Sequence, residues 1–302
     1  MSITTDVVAP SVAVDQGQAP HSVRVNTAAL ERVQAVKASL ASGYGKSGRG
    51  FGKLCVTETR VWLRGSDVFW VVFPALLLVV FGILNPENRM PLEGGSEHIF
   101  YGTPLYGVYA LNILIPPFIA MAIGMTCISI LPVTFGYFRD KGMIKRISAT
   151  PMSSYGLFAA HYGIVIVMGL ISAALAVAAV AVIVPLHVPQ NVMIVLAGII
   201  LGMMSMLAVG SIVSALVKTA KSGTTWGNLI YFPLMFTAGV FTDVQPGGIV
   251  YHIGRVNPMG AASQVMSYGW FGGDSLPWIQ MLVMVAWTLV LVPLSAKLFR
   301  WQ

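Results

Sequence analysis

From residue 68 to the end of the chain, long apolar runs alternate with short polar joints. Six runs stand out, at 68–84, 107–135, 157–184, 192–217, 226–241 and 278–296, and none contains Asp, Glu, Lys or Arg. A membrane-spanning helix needs about 20 apolar residues, with a range of roughly 17–25. The fifth run is short at its apolar core, and Trp226 and Tyr231 add bulky interfacial surface. The pattern predicts an all-α integral membrane protein with six transmembrane helices.

The joints assign the sides. With the N-terminus inside, the inner segments hold Arg24, Arg32, Lys37, Lys46, Arg49, Lys53, Arg60 and Arg64 before the first span. Arg139, Lys141, Lys145 and Arg146 follow the second span, Lys218 and Lys221 the fourth, and Lys297 and Arg300 the last. These are sixteen of the eighteen Lys and Arg, leaving only Arg89 and Arg255 outside. Cytoplasmic loops carry such an excess, so both termini are expected in the cytoplasm. Composition agrees: 56% of the chain is hydrophobic and 10% is charged, against about 25% charged in a soluble domain. The net charge of +7 follows from the same rule and calls for no nucleic-acid partner.

The outer joints differ from one another. Residues 85–103 form a Pro- and Gly-containing loop with Glu87, Glu93 and Glu97, and 185–190 is a tight turn. Residues 242–277 are longer and mostly apolar. There Asn257 suits a helix N-cap and Pro258 a first helical position. The segment reads as short broken helices that dip into the outer leaflet, packed on protein; the alternative is an interfacial loop anchored by Trp270.

Three domains result: a disordered or weakly helical tail over 1–45, an amphipathic interfacial helix over 46–67, and the six-span domain over 68–302. On the interfacial helix Phe51, Leu54, Cys55, Trp62 and Phe69 share an apolar face that Glu58 interrupts, with Lys53, Arg60 and Arg64 opposite. Such a helix sets basic groups toward anionic lipid headgroups. No apolar leader segment opens the chain.

The chemistry that is missing narrows the function. There is no His-x-x-x-His, no Gly-x-Ser-x-Gly, and the two cysteines, Cys55 and Cys127, do not cluster. Gly45-Lys46-Ser47 resembles the end of a phosphate loop, but the pattern needs a glycine where Leu40 stands. Ion-coupled transporters carry ionisable groups at membrane depth. Only His161 qualifies here, and a histidine near a helix end reads as interfacial. The chain is therefore expected to have no catalytic site, metal site or cofactor of its own, and to take energy from another subunit.

Four blocks carry a family resemblance: Thr57–Gly82, Arg139–Pro151, Phe232–Phe241 and Val256-Asn257-Pro258-Met259. The second is similar to an Arg-Glu-x-Gly-Thr-Leu-x-Arg-Leu-x-x-Thr-Pro pattern, with Asp140 in place of Glu and Met143 in place of Thr. In this order the blocks resemble the permease subunits of ABC-2 type transporters, in particular the daunorubicin-resistance-like drug exporters. The resemblance implies a membrane permease that exports an amphipathic drug-like or lipid-like molecule. It implies a cytoplasmic ABC ATPase partner holding ATP and Mg, a second copy or homologous permease, and membrane lipids around them. The expected location is the cell membrane, the inner membrane in a bacterium. It also implies coupling to the ATPase through Arg139, Asp140, Lys141, Gly142, Met143, Ile144, Lys145, Arg146 and Ile147, and through the interfacial helix with Lys53, Glu58, Arg60, Trp62 and Arg64. The substrate path, which the family lines with the first, second and fifth spans, would include Phe118, Met121, Met125, Tyr231, Phe232, Met235 and Phe236. A polysaccharide or glycolipid export permease of the same fold is the alternative, with an ion-coupled secondary transporter behind it.

Overall fold

The computed structural model describes residues 67–92, 99–100, 103–104, 107–142, 154–241, 248–273 and 276–298. The chain divides between Met1–Ser47 and Gly48–Gln302, and every described residue belongs to the second unit. The tail, residues 46–66 of the expected interfacial helix and Met143 to Ile147 lie outside the described residues.

Apolar runs this long can satisfy their backbone groups in lipid only by coiling into helices, and they do. The helices are α1 (Asp67–Leu84), α2 (Ala110–Ile113), α3 (Ile115–Gly124), α4 (Leu131–Asp140), α5 (Ser154–Ile183), α6 (Val192–Leu216), α7 (Ala220–Thr237), α8 (Ile249–Val256), α9 (Pro258–Phe271) and α10 (Trp278–Leu298). A 3-10 turn at Pro86–Arg89 and an antiparallel ribbon of two-residue strands, β1 (Ile99–Phe100) and β2 (Thr103–Pro104), interrupt the expected all-α pattern in the loop after α1. Four helical stretches among the described residues are long and apolar enough to cross a membrane: Ala110–Asp140, Ala159–Ile183, Val192–Leu216 and Trp278–Leu298. The apolar run Val68–Leu84 is shorter.

Helices α2, α3 and α4 form one broken rod at the centre of the bundle. Every residue of α3 is buried. Between α3 and α4, Met125–Ile130 winds as a π-helix, also wholly buried. The reason stands two residues on: Pro132 has no N–H, so the carbonyl four residues back loses its helical donor, and the ladder slips by one residue. Pro116 and Pro117 open α3 after the turn at Leu114, at positions where a missing N–H costs nothing. The bared carbonyl edge is met by close packing. A methyl group on Gly210 of α6 would lie 1.9 Å from the Cys127 carbonyl oxygen.

Around this rod, α1 and α3 pack on α5, α9 packs on α6 and α3, α10 on α6, and α7 on α4. The segment between α7 and α10 is helical, as expected: Asn257 caps α9, its Oδ1 accepting the Gly260 N–H at 2.7 Å, and Pro258 takes the first position. All of α9 except Tyr268 is buried. Trp270 is no interfacial anchor: it is 4% exposed and its Nε1 donates to the His187 carbonyl at 2.8 Å.

Three further expectations are corrected. The second span runs to Asp140 rather than ending near 135, because Phe135 and Phe138 keep its face buried for another turn. The fifth helix starts at Ala220 rather than near 226, because Thr219 and Ser222 form a reciprocal capping box there. Phe69 belongs to α1, where it meets Trp70 and Phe73 edge-on or tilted, not to a separate interfacial helix.

Candidate functional site

The second span ends in a cation that faces inward. Arg139 stands on the last turn of α4, and its Nη1 donates to the carbonyl oxygens of Ser214 and Val217, each at 2.5 Å. Those carbonyls close α6, where the last four C=O groups of any helix lack helical partners and the helix dipole favours a cation. Arg139 thus fastens the end of the second span to the end of α6. Beside it, Gly136 lets α4 touch the entry to α7; a methyl there would lie 2.3 Å from the Thr219 carbonyl oxygen. Asp140 and Lys141 are exposed, with the Lys141 ammonium 6.0 Å from the Tyr137 ring centre. Gly142 turns the chain with a φ of 63°.

Of the residues expected to couple to an ATPase, Arg139, Asp140, Lys141 and Gly142 are contiguous at the tip of the central rod. Met143, Ile144, Lys145, Arg146 and Ile147 lie outside the described residues, as do Lys53, Glu58, Arg60, Trp62 and Arg64. His161, read as interfacial, is instead 3% exposed. Phe135 and Phe138 of α4 cover it edge-on with ring centres 5.5 and 5.7 Å away, and neither ring nitrogen has a hydrogen-bond partner.

The residues expected along a substrate path fall into two sets. Phe118, Met121, Met125, Tyr231 and Met235 are buried between the second span and its neighbours, and the Tyr231 hydroxyl donates to the Met121 carbonyl at 3.3 Å. Phe232 and Phe236 are 48% and 51% exposed on the outer face of α7. The buried set packs the bundle, and only the second set meets the surroundings of this subunit.

A cleft that none of those residues except Met125 touches lies between α1, the second span and α7. It has a volume of about 220 Å³ and is lined by Trp70, Met125, Ser129, Ile130, Val133, Thr134, Thr224 and Asn228. Its mouth is marked by the exposed Trp70 and Thr224. The slipped ladder of the π-helix supplies Met125, Ser129 and Ile130 together. Nothing in the sequence singles out Ser129 or Trp70. The available signal is the polar first half of α7, which carries Lys221, Ser222, Thr224, Thr225 and Asn228.

A family model described as ABC-2 type transporter matches residues 51–271. The chain belongs to that family. The permease is accordingly a multi-pass membrane protein and the membrane component of an ABC transporter. Comparison with curated proteins gives no match. Both the Arg139 clamp and the cleft lie within the matched residues, and among the described residues no group of His, Cys, Asp and Glu is placed to hold a metal ion.

Proposed function

We propose that this permease exports an amphipathic drug-like or lipid-like molecule with energy from ATP hydrolysed by a separate cytoplasmic ATPase. In this reading α1 and α7 complete six spans with both termini in the cytoplasm, and two permease subunits, identical or homologous, work together. α1 suits a span: its apolar run Val68–Leu84, at about 1.5 Å per residue, comes close to the ~30 Å of a bilayer core.

The observation that carries the proposal is the Arg139 clamp. A loop that only oriented the chain would need cations but no inward-facing contact. Here the first cation of the loop holds the carbonyl end of another span through two bonds. Hydrogen bonds to charged groups contribute about 1.5–3 kcal/mol each. A push on the segment beginning at Asp140 would therefore move α4 and α6 as one piece, and α4 brings α7 with it through the Gly136 contact. The daunorubicin-resistance-like resemblance supports outward transport.

The test is co-purification with a cytoplasmic ABC ATPase, followed by hydrolysis and transport assays in proteoliposomes. Transport should require ATP and the partner, and a permease that transports alone without ATP overturns the reading. Replacing Arg139, Asp140 and Gly142 together should leave ATP hydrolysis running while transport falls at least tenfold. Transport per ATP equal to wild type would reduce the loop to an orientation signal.

A further inference from the structure

We propose that Arg255 and His252 of α8 form a site for the phosphate of a lipid of the surrounding bilayer, with the lipid's apolar chain along the exposed face of the same helix. None of the residues expected along the substrate path takes part. Which leaflet supplies the lipid rests on the orientation given above; the site does not.

On sequence Arg255 counts with the outer joints; in the structure it stands below them. Helices α8 and α9 form an antiparallel hairpin. The Tyr251 carbonyl accepts from the Gln264 amide at 3.0 Å, and a methyl on Gly260 would lie 2.5 Å from the Gly254 Cα. The open end of the hairpin lies where α6 begins, since the Gly269 carbonyl accepts the Asn191 N–H at 2.8 Å. That is the end of the bundle opposite the Arg139 clamp, which grips the last carbonyls of α6. The closed end reaches inward. Trp287 of α10 donates its Nε1 to the Val256 carbonyl at 2.9 Å. At 1.5 Å per residue, that contact is about 13 Å from Trp278, the first residue of a helix long and apolar enough to cross a membrane. Arg255 is the residue next to it.

A cation at that depth seeks a countercharge, and a buried charge without one is costly. Among the described residues Arg255 has none. Its Nε is shielded from solvent with no hydrogen-bond partner, and no ion pair joins it to a described carboxylate. The residue as a whole is half-buried, so the fork at the end of its side chain reaches the surface. A helical side chain lies over the turn N-terminal to its own Cα. For Arg255 that turn carries His252, which is exposed and nearer the open end of the hairpin. A guanidinium fork matches two oxygens of one phosphate, and an imidazole N–H adds a further donor. The rest of the exposed face is apolar. Ile249, Ile253 and Val256 are 76%, 47% and 59% exposed and recur at helical spacing. A free anion gains nothing from such a stripe, whereas an acyl chain attached to the phosphate lies along it.

Trp287 is a built-in reporter, since its indole is bonded beside Arg255. The full-length permease is purified in dodecyl maltoside, which carries no phosphate, and titrated with phosphatidylglycerol or diacylglycerol bearing the same brominated chains. Bromine quenches tryptophan on contact, and subtracting the Trp287→Phe variant isolates Trp287. Phosphatidylglycerol should quench saturably, at a half-saturating mole fraction about tenfold below that of diacylglycerol. In Arg255→Gln the preference should fall to about twofold or less, and in His252→Ala to an intermediate value. Arg255→Lys keeps the charge without the fork and should also be intermediate, which decides the matter if Arg255→Gln does not fold. Arg89→Gln, which removes the other cation counted outside, should leave the preference unchanged. Equal quenching by the two lipids, or a preference that the Arg255 variants leave intact, overturns the site. Displacement of phosphatidylglycerol by inorganic phosphate assigns the site to a free anion and overturns the lipid. Break-up of permease oligomers in Arg255→Gln with the lipid preference intact assigns the guanidinium to a second copy and overturns it too. The assay uses neither ATP nor an ATPase, so its failure is distinct from failure of the permease reading.

Discussion

Two polar regions sit in the same apolar bundle and are handled in opposite ways. Around α9, the amide and indole side chains of Asn257, Gln264, Gln280 and Trp287 are paired with other side chains or with the backbone. Asn257 binds Gly260 N–H and, through Nδ2, the Thr237 hydroxyl. Gln264 donates to the Tyr251 carbonyl at 3.0 Å and accepts from Gln280 at 3.0 Å, and Trp287 closes on the Val256 carbonyl at 2.9 Å. Across the bundle, the cleft beside the π-helix leaves Ser129 unpaired. The first region joins α7, α8, α9 and α10 into one packed corner. The second has capacity that the subunit does not use. Polar groups cost the same to bury in either place, and at Ser129 that cost is not offset by a hydrogen bond within the subunit.

The contrast can be tested by substitution, with stability read as the unfolding midpoint in a single detergent. The largest loss is expected for Gly210→Ala, which drives a methyl into the Cys127 carbonyl. Overpacking against backbone should cost about 3 kcal/mol or more, and a fall well under 1 kcal/mol would mean that α6 and the π-helix can part freely. Next comes Arg139→Ala, with about 2–3 kcal/mol, less than two full bonds to a charged donor because the side chain is only partly buried; Arg139→Lys should recover part of the stability but less of the transport, since the lysine chain is one atom shorter than the reach of Nη1 to the two carbonyls. Gln264→Leu should cost about 2 kcal/mol, because it strands the Gln280 amide and the Tyr251 carbonyl. The smallest change belongs to Ser129→Ala, within about 0.5 kcal/mol of wild type and on the stabilising side, since it removes an unsatisfied hydroxyl without opening a cavity. If Ser129→Ala proves as costly as Gln264→Leu, the two regions are not opposites at all.

Much of this architecture was legible in the residues. Runs free of charge located the long apolar helices, and Asn257-Pro258 announced the start of α9. Pro132 must break the hydrogen-bond ladder of the second span because it has no N–H, but that the break takes the form of a π-helix depends on what packs beside the bared carbonyls. Arg139 was visible as a cation at a span end. Its direction was not, because the acceptors, Ser214 and Val217, are more than seventy residues away. Phe118, Met121 and Tyr231, expected along the path from the resemblance, are buried within this subunit, which the sequence did not show, since an apolar side chain in a span looks the same in sequence whether it faces a lumen or a neighbour.

By itself the sequence determined the class of the molecule. Apolar runs of span length must become helices in lipid, because no other local structure satisfies their backbone groups. The joints, the prolines and the caps then divide those helices. Only the tertiary structure decided which polar groups find each other. Hydrogen-bonding partners along a span come from helices distant in sequence, so neither the Arg139 clamp nor the unpaired Ser129 exists until α1, α6 and α7 close around the second span.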